Sequence, residues 1–158
     1  MSIILMKNKR HIRKPAIQIT IKNLQKLVPI ERGKIKETVC KVLQSEGVYA
    51  KAGISFFFVT DKKIQALNLR YLGQDCPTDV IAFDSSGRDS ILADIFISTE
   101  TALSQARSFK TSVLYELYLY VIHGILHILG YDDLCSKDRA VMRKQEKLFL
   151  KALNIAPH

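Results

Sequence analysis

Two histidines, a glycine and a pair of acidic residues follow one another at regular spacing in HGILHILGYDD, the stretch 123–133. On a helix, residues four apart lie on one face, so the imidazoles of His123 and His127 point the same way. Gly130 suits the end of that helix, because a residue with positive φ lets the chain turn back. Two ring nitrogens and a carboxylate oxygen, with a fourth position open, form the ligand set of a catalytic zinc ion. The stretch therefore predicts a metal site on the last turns of a helix.

The third ligand has three candidates, all of which follow Gly130 in the sequence. Spacing favours Asp133, because metzincin proteases, with the pattern H-E-x-x-H-x-x-G-x-x-H, place a ligand at the same distance from the first histidine. Asp132, one residue nearer the glycine, and Cys135, two residues beyond Asp133, stay open as alternatives. The protease pattern carries its glutamate general base directly after the first histidine, where this chain has Gly124. The spacing therefore predicts a metal site without the proteolytic base.

Strand and helix patterns alternate around this stretch. Alternating or dense apolar residues predict strands at 17–21, 54–59, 78–83 and 91–98. Helical periodicity and polar caps predict helices at 31–46, 61–70, 99–109, 113–129 and from 136 onwards. The last helix is expected to bury Met142, Leu148 and Phe149 and to keep its basic side chains on the outer face. We predict an α+β class: a single compact domain whose mixed sheet of about four strands packs with about five helices, with the histidine helix at its centre.

The positive charge of the chain is concentrated near its start. Residues 1–51 hold 12 Lys/Arg and 3 Asp/Glu, whereas residues 52–158 hold 12 of each, so the first third carries the whole net charge of +9. A basic segment beside a neutral body indicates a polyanionic partner, with nucleic acid as the first candidate. We expect RNA contacts from Arg10 and Arg13, which lie in a basic arm formed by residues 1–14. We also expect them from Lys34 and Lys41, on the outer face of the helix predicted at 31–46. A solvated surface without a partner is the alternative.

Composition places the chain among cytoplasmic, non-membrane proteins. Its 158 residues suffice for one domain with a sizeable core, and an N-terminal signal is not recognisable. The three cysteines form no C-x-x-C motif, which fits a reducing compartment. The apolar run 113–129 contains Glu116 and both histidines, so we expect a buried helix and not a membrane span.

Two separate motifs resemble those of the YbeY family, bacterial metal-dependent endoribonucleases of rRNA maturation. HGILHILGYDD is similar to the family signature H-G-x-L-H-L-x-G-Y-D-H. LNLRYLGQDCPTDVIAF, at 67–83, is similar to the family stretch L-N-x-x-Y/F-R-x-x-D-x-P-T-D-V-L-S-F. The order of the elements also fits from about residue 17 to residue 150.

The resemblance implies an endoribonuclease domain at residues 15–158. It implies single-stranded RNA as substrate, roles in small-subunit rRNA maturation and ribosome quality control, and a Zn²⁺ cofactor. The expected partners are an rRNA precursor and ribosomal small-subunit components, without a nucleotide cofactor. A non-catalytic RNA or ribosome assembly factor with a structural metal is the alternative, and a zincin-like protease is less favoured.

Three positions depart from the family pattern; one of them is Ala82, which replaces a usual serine, and the other two concern the predicted site. The third family ligand is a histidine where this chain has Asp133, and this carboxylate leaves Mn²⁺ or another divalent metal open. The family arginine that follows the Tyr/Phe corresponds to Leu72 here. Arg70 is the one arginine near enough to replace it, and we expect it to stabilise charge on the phosphate during catalysis.

Overall fold

The computed structural model describes residues 16–48 and 51–158. In chain order its elements are β1 (Ile17–Asn23), α1 (Arg32–Ser45), β2 (Lys51–Val59), α2 (Asp61–Leu72), β3 (Val80–Asp84), β4 (Ser90–Ser98), α3 (Thr99–Phe109), α4 (Val113–Ile128) and α5 (Ser136–Ala152). The predicted α+β class, a single compact domain with a mixed four-stranded sheet and five helices, is confirmed for this part of the chain. The basic arm, 1–14, lies outside the described residues.

The sheet has the strand order β1-β2-β4-β3. Strands β1, β2 and β4 are parallel to one another. Parallel pairing requires long crossover connections, and the helices α1, between β1 and β2, and α2, between β2 and β3, lie in these connections. Strand β3 runs antiparallel to β4, to which a short turn joins it. Strand β4 therefore leads directly into α3, and α3 leads into the histidine helix α4.

Apolar side chains of β2 alternate between two cores on opposite faces of the sheet. Ile54, Phe56 and Phe58 are buried in the main core, together with apolar side chains of α1, α4 and α5. Phe57 and Val59 belong to a smaller cluster on the other face, which α2 covers. This alternation follows from the two-residue period of a strand. The main core holds α4 against the sheet and α5 against α4.

Helix α4 begins and ends where its sequence predicts. The Ser112 hydroxyl accepts a hydrogen bond of 3.1 Å from the backbone N–H of Tyr115, which caps the first turn. The helix stops at Ile128, and Gly130 follows with a φ of 96°, a conformation that side chains disfavour. Among the described helices, including this apolar one, none is long and apolar enough to cross a membrane.

Gly124 lies where α4 packs most closely on the sheet. A Cβ atom at this position would lie 2.8 Å from the Cγ2 atom of Ile95 on β4 and 3.4 Å from Cγ1 of Val80 on β3. The residue directly after His123 therefore faces the sheet. A protease-like glutamate at this position would be pressed into the apolar core, away from the two histidines.

We expect Gly124→Ala to lower the free energy of unfolding by about 1 kcal/mol or more. An added methyl group in a packed core typically costs about 1–3 kcal/mol, and the 2.8 Å approach to Ile95 indicates the upper part of that range, which exceeds the roughly 1 kcal/mol gain in helix propensity. Urea unfolding of the purified variant measures the change. Gly33→Ala on α1 is the matched control, because no atom lies within 4 Å of the added Cβ. Equal stability of the two variants would contradict the close helix–sheet contact.

Two details of the sequence prediction are wrong. The strand predicted to start at 78 begins at Val80, because Thr78 and Asp79 belong to the preceding loop and the Asp79 carboxylate accepts from the Val80 backbone N–H. Leu148 on α5 is 51% exposed and does not join the core, whereas Met142 and Phe149 are buried as predicted. Leu148 lies on the solvent side because the buried residues Met142, Glu146, Phe149 and Leu150 share one face of α5, and position 148 falls on the opposite face.

Candidate metal centre

Polar side chains form a stripe along one side of α4. Glu116, Tyr120, His123 and His127 follow one another at intervals of four, three and four residues, so they share a helix face. Three of them, Glu116, Tyr120 and His123, line a cavity between α4 and α5. The apolar side chains of α4 occupy the remaining faces and hold this stripe in place.

His123, His127 and Asp133 form a compact cluster at the end of the stripe. The Nε2 atoms of the two histidines are 3.0 Å apart. Of the two Asp133 carboxylate oxygens, Oδ2 lies 3.7 Å from Nε2 of His123 and Oδ1 lies 3.7 Å from Nε2 of His127. Ligands bound tetrahedrally to zinc at about 2.0–2.2 Å lie roughly 3.3–3.6 Å from one another, so the three donors fit a divalent cation after small adjustments. Within residues 16–48 and 51–158, this is the one set of at least three such donors close enough to hold a metal.

The loop after α4 carries the Asp133 carboxylate back to the histidines. The backbone N–H of Gly130 donates to the His127 carbonyl, and that of Tyr131 donates to the Leu126 carbonyl. The Tyr131 hydroxyl then donates to the Glu46 carboxylate at 2.8 Å, which ties the loop to the end of α1.

The two other candidates for the third ligand have different partners. The Asp132 carboxylate accepts from the backbone N–H groups of Asp133 at 2.7 Å and Leu134 at 3.2 Å, so it shapes the loop. Cys135 is the N-cap of α5, and its sulfur lies 3.0 Å from an Asp138 carboxylate oxygen. Of the three candidates, Asp133 is the one that the structure brings to both histidines.

Glu146 on α5 orients His123 from the opposite side. Its carboxylate lies 2.5 Å from Nδ1 of His123, and the glutamate is only 8% exposed. Burial alone would lower the pKa of His123, but the hydrogen bond and charge of Glu146, with the charges of Asp79 and Asp133, raise it on balance. An imidazole that donates Nδ1–H to a carboxylate turns its Nε2 lone pair outwards, as metal-binding histidines do.

We expect Glu146→Gln to weaken zinc binding by about 10- to 100-fold, because partners of this kind tune ligand basicity and orientation. The substitution keeps the side-chain volume and removes the charge. Competition with a chromophoric chelator measures the affinity. Glu37→Gln, on the exposed side of α1, is the control and should bind zinc like the unmodified protein. Equal affinities of the two variants would show that Glu146 does not support the site.

The cavity beside the cluster has a volume of about 710 Å³, within the range of small-molecule and cofactor sites. Its polar lining comprises Thr78, Asp79, Thr101, Gln105, Glu116, Tyr120, His123, Asp133, Arg139, Arg143 and Glu146. The loop that contributes 77–79 is anchored by buried Asn68, whose side-chain amide donates to the Cys76 carbonyl at 2.8 Å. The second sequence motif therefore supplies one wall of the cavity.

Two buried side chains of α4, Glu116 and Tyr120, contribute to the polar lining of the cavity. Glu116 accepts a hydrogen bond of 2.6 Å from the Thr111 hydroxyl. Burial raises the pKa of Tyr120 above its ordinary value, and the charges of Asp79, Glu116 and Asp61 add to the effect. The Tyr120 phenol therefore stays protonated at neutral pH and is available as a hydrogen-bond donor.

Comparison with known proteins identifies the family to which this chain belongs. The model of the family described as Endoribonuclease YbeY matches residues 20–154. The chain belongs to the YbeY family. It is 37% identical over 149 residues to the Endoribonuclease YbeY of Desulforamulus reducens, covering 87% of this chain and 97% of the relative. It is 39% identical over 147 residues to that of Syntrophus aciditrophicus, covering 88% and 91%.

A solved structure shares the fold. The solution structure of a Thermotoga maritima protein matches with a TM-score of 0.60 and 27% identity, covering 86% of this chain and 89% of that one. The resemblance that the two sequence motifs indicated is therefore confirmed at the level of the family and the fold.

In this YbeY family member, the other predicted site residues within the described part of the chain do not line the cavity. Arg70 is exposed on the last turn of α2, with its guanidinium 5.3 Å from the centre of the Tyr71 ring, and it does not line the cavity. Lys34 lies 5.2 Å from the centre of the Tyr118 ring, and the Lys41 ammonium donates to the Ala152 carbonyl at the end of α5. Their catalytic and RNA-binding roles stay predictions.

Arg10 and Arg13 lie outside the described residues. Sequence reasoning missed Glu146, whereas for Asp79 it left two roles equally open, the partner of a histidine or a turn residue at the head of a strand. The spacing of Met142, Glu146 and Phe149 at helical intervals could have placed Glu146 on the buried side of α5. The Asp79 carboxylate accepts from the Thr78 hydroxyl and the backbone N–H of Val80, which favours the local role at the head of β3.

Proposed function

We propose that this YbeY family member is a metal-dependent endoribonuclease that hydrolyses single-stranded RNA. The observation that carries the proposal is the cluster of His123, His127 and Asp133 at the wall of a polar cavity. Its curated relatives are named endoribonucleases, and RNA cleavage by this chain is inferred from that kinship together with the cluster.

His123, His127 and Asp133 would hold one divalent metal ion. Such an ion supplies Lewis-acid polarisation of a phosphoryl oxygen and activates water for attack on phosphorus. Glu146 keeps His123 in the required tautomer and orientation. Zn²⁺ is the proposed ion because it accepts nitrogen and oxygen ligands, and the carboxylate of Asp133 also suits Mn²⁺.

The proposed role of Arg70 is to pair with a substrate phosphate and stabilise the charge that develops in the transition state. Its guanidinium is exposed, and within residues 16–48 and 51–158 no carboxylate oxygen lies within 4.0 Å of it. It is therefore available to a phosphate of a bound strand. The proposal places this activity in small-subunit rRNA maturation and ribosome quality control in the cytoplasm, with an rRNA precursor and small-subunit components as partners.

Cleavage assays on the zinc-loaded protein test the function. We expect degradation of end-labelled single-stranded RNA and no degradation of casein, because Gly124 replaces the proteolytic base and faces the sheet. His127→Ala, purified in parallel, controls for contaminating nucleases and should be inactive. Arg70→Ala should retain zinc and lose cleavage if its side chain acts on the transition state. RNA binding without cleavage would favour an assembly factor with a structural metal, and casein cleavage a protease.

Deletion of residues 1–14 should reduce the salt dependence of RNA binding. We propose that this segment is a basic arm attached to the domain at 15–158, and it contains five Lys/Arg. If all of them contact phosphates, the slope of log affinity against log salt should shrink by about 3.5, at roughly 0.7 per contact with a single strand. Thermal unfolding of the shortened chain serves as the control for an intact domain. An unchanged slope would remove Arg10 and Arg13 from the RNA-binding surface.

A further inference from the structure

Two arginines of α5 line the cavity beside the histidine cluster. Arg139 and Arg143 are four residues apart, so they lie on one face of the helix, about 6 Å apart along its axis. They share the cavity wall with His123 and Asp133. The sequence pattern indicated basic residues on the outer face of this helix, whereas these two flank the proposed reaction site.

The contacts of the two side chains leave most of their hydrogen-bond donors available. The Nε–H group of Arg139 donates to the backbone carbonyl of Asp133 at 3.2 Å, which holds this guanidinium next to the loop of the third metal-binding residue. An arginine has five N–H donors, so four remain. Among the residues that the structure describes, no carboxylate oxygen lies within 4.0 Å of either guanidinium.

The charge of the cavity gives these arginines a function. Four carboxylates line it, those of Asp79, Glu116, Asp133 and Glu146. With a divalent metal ion alone, the formal charge of these groups would be about −2, which repels a phosphodiester. Two guanidinium groups bring that sum to zero. Without the two arginines of α5, the net negative charge of the lining would repel a polyanion.

We propose that Arg139 and Arg143 bind the RNA backbone phosphates next to the metal cluster. The proposal rests on the function proposed above and adds the residues that hold the substrate there. Guanidinium groups bind phosphate oxygens through two parallel N–H···O bonds, which fix position as well as charge. Such contacts carry no sequence information, so binding through this pair should tolerate different bases.

The test measures binding separately from cleavage. The full chain, loaded with zinc, is titrated with a labelled single-stranded 2′-O-methyl RNA at several salt concentrations, and a denaturing gel checks that the strand stays intact. We expect Arg143→Gln and Arg139→Gln each to reduce the salt slope by about 0.7, and the double variant to reduce it by about 1.4. Lys144→Gln, exposed on another side of α5 and absent from the cavity lining, is the matched control with an unchanged slope.

Arg143→Lys separates charge from geometry. It should keep the slope of the unmodified protein, because it keeps the charge, but cleave RNA more slowly, because an ammonium group lacks the planar fork. Circular dichroism and zinc content verify that the variants fold. Both arginines are exposed, so these readouts should match the unmodified protein. Should Arg139→Gln lose zinc through its contact with the Asp133 loop, Arg143→Gln alone decides the question.

The outcomes distinguish this inference from the proposed function. If the unmodified protein cleaves RNA and the double variant keeps both its slope and its turnover, the arginines do not bind the substrate and the endoribonuclease proposal stands. If the unmodified protein cleaves no RNA but the salt slope of the double variant falls by the expected amount of about 1.4, the arginines bind RNA and the endoribonuclease proposal fails. An unchanged slope in the double variant overturns the arginine assignment in either case.

Discussion

Alanine at His127 should abolish zinc binding and RNA cleavage together while the fold survives. Its Nε2 atom lies 3.0 Å from that of His123 and 3.7 Å from the Asp133 carboxylate, so its loss leaves two donors. Loss of a hydrogen-bond partner behind a ligand already costs about 10- to 100-fold in metal affinity, so loss of the ligand itself should cost more than about 100-fold. The side chain of His127 is 31% exposed, and the apolar faces of α4 do not involve it.

Elemental analysis and chelator competition measure the loss of zinc, and end-labelled RNA measures cleavage. His158→Ala, at the exposed end of the chain, is the matched control for loss of a histidine. His123→Ala should also lose zinc, but it should unfold more easily, because it leaves the buried carboxylate of Glu146 without its partner. Full zinc occupancy in His127→Ala would refute this metal centre.

Alanine at Asp133 should weaken zinc binding strongly, whereas alanine at Asp132 or Cys135 should not. Of these three residues, only Asp133 places carboxylate oxygens 3.7 Å from the imidazole nitrogens of both histidines. Asp132 is engaged with backbone N–H groups, and Cys135 caps α5. Since second-sphere changes cost about 10- to 100-fold, we expect Asp133→Ala to exceed that range and the other two to remain below it.

Replacing Asp133 with histidine reverses the departure from the family pattern. A third neutral nitrogen removes one negative charge and makes the donor set softer, so Asp133→His should favour zinc over manganese more than the unmodified protein does. Chelator competition across the three alanine variants and this histidine variant measures both affinities. If Asp133→Ala binds zinc normally while Asp132→Ala or Cys135→Ala does not, the third ligand is assigned to the wrong residue.

Features that depend on local spacing could be predicted from the sequence. A spacing of four residues places His123 and His127 on one face of α4. Gly130 follows the end of that helix with positive φ, a conformation that residues with a side chain disfavour. Apolar alternation predicted the first strand, because a strand has a fixed period of two, and a dense run of aromatic and β-branched residues predicted the buried strand at 54–59. The two motifs together indicated the family, which comparison with known proteins confirmed.

Features that depend on how helices pack were decided only by the tertiary structure. Glu146 contacts His123, 23 residues away in the chain, because α5 packs along α4. No local sequence pattern specifies how these two helices pack against each other. The same packing turns Arg139 and Arg143 towards the cavity. The choice of Asp133 over its neighbours depends on the loop that Tyr131 ties to α1. Helical spacing fixes which residues share a face, but the partner of that face is set by the shape of the whole core.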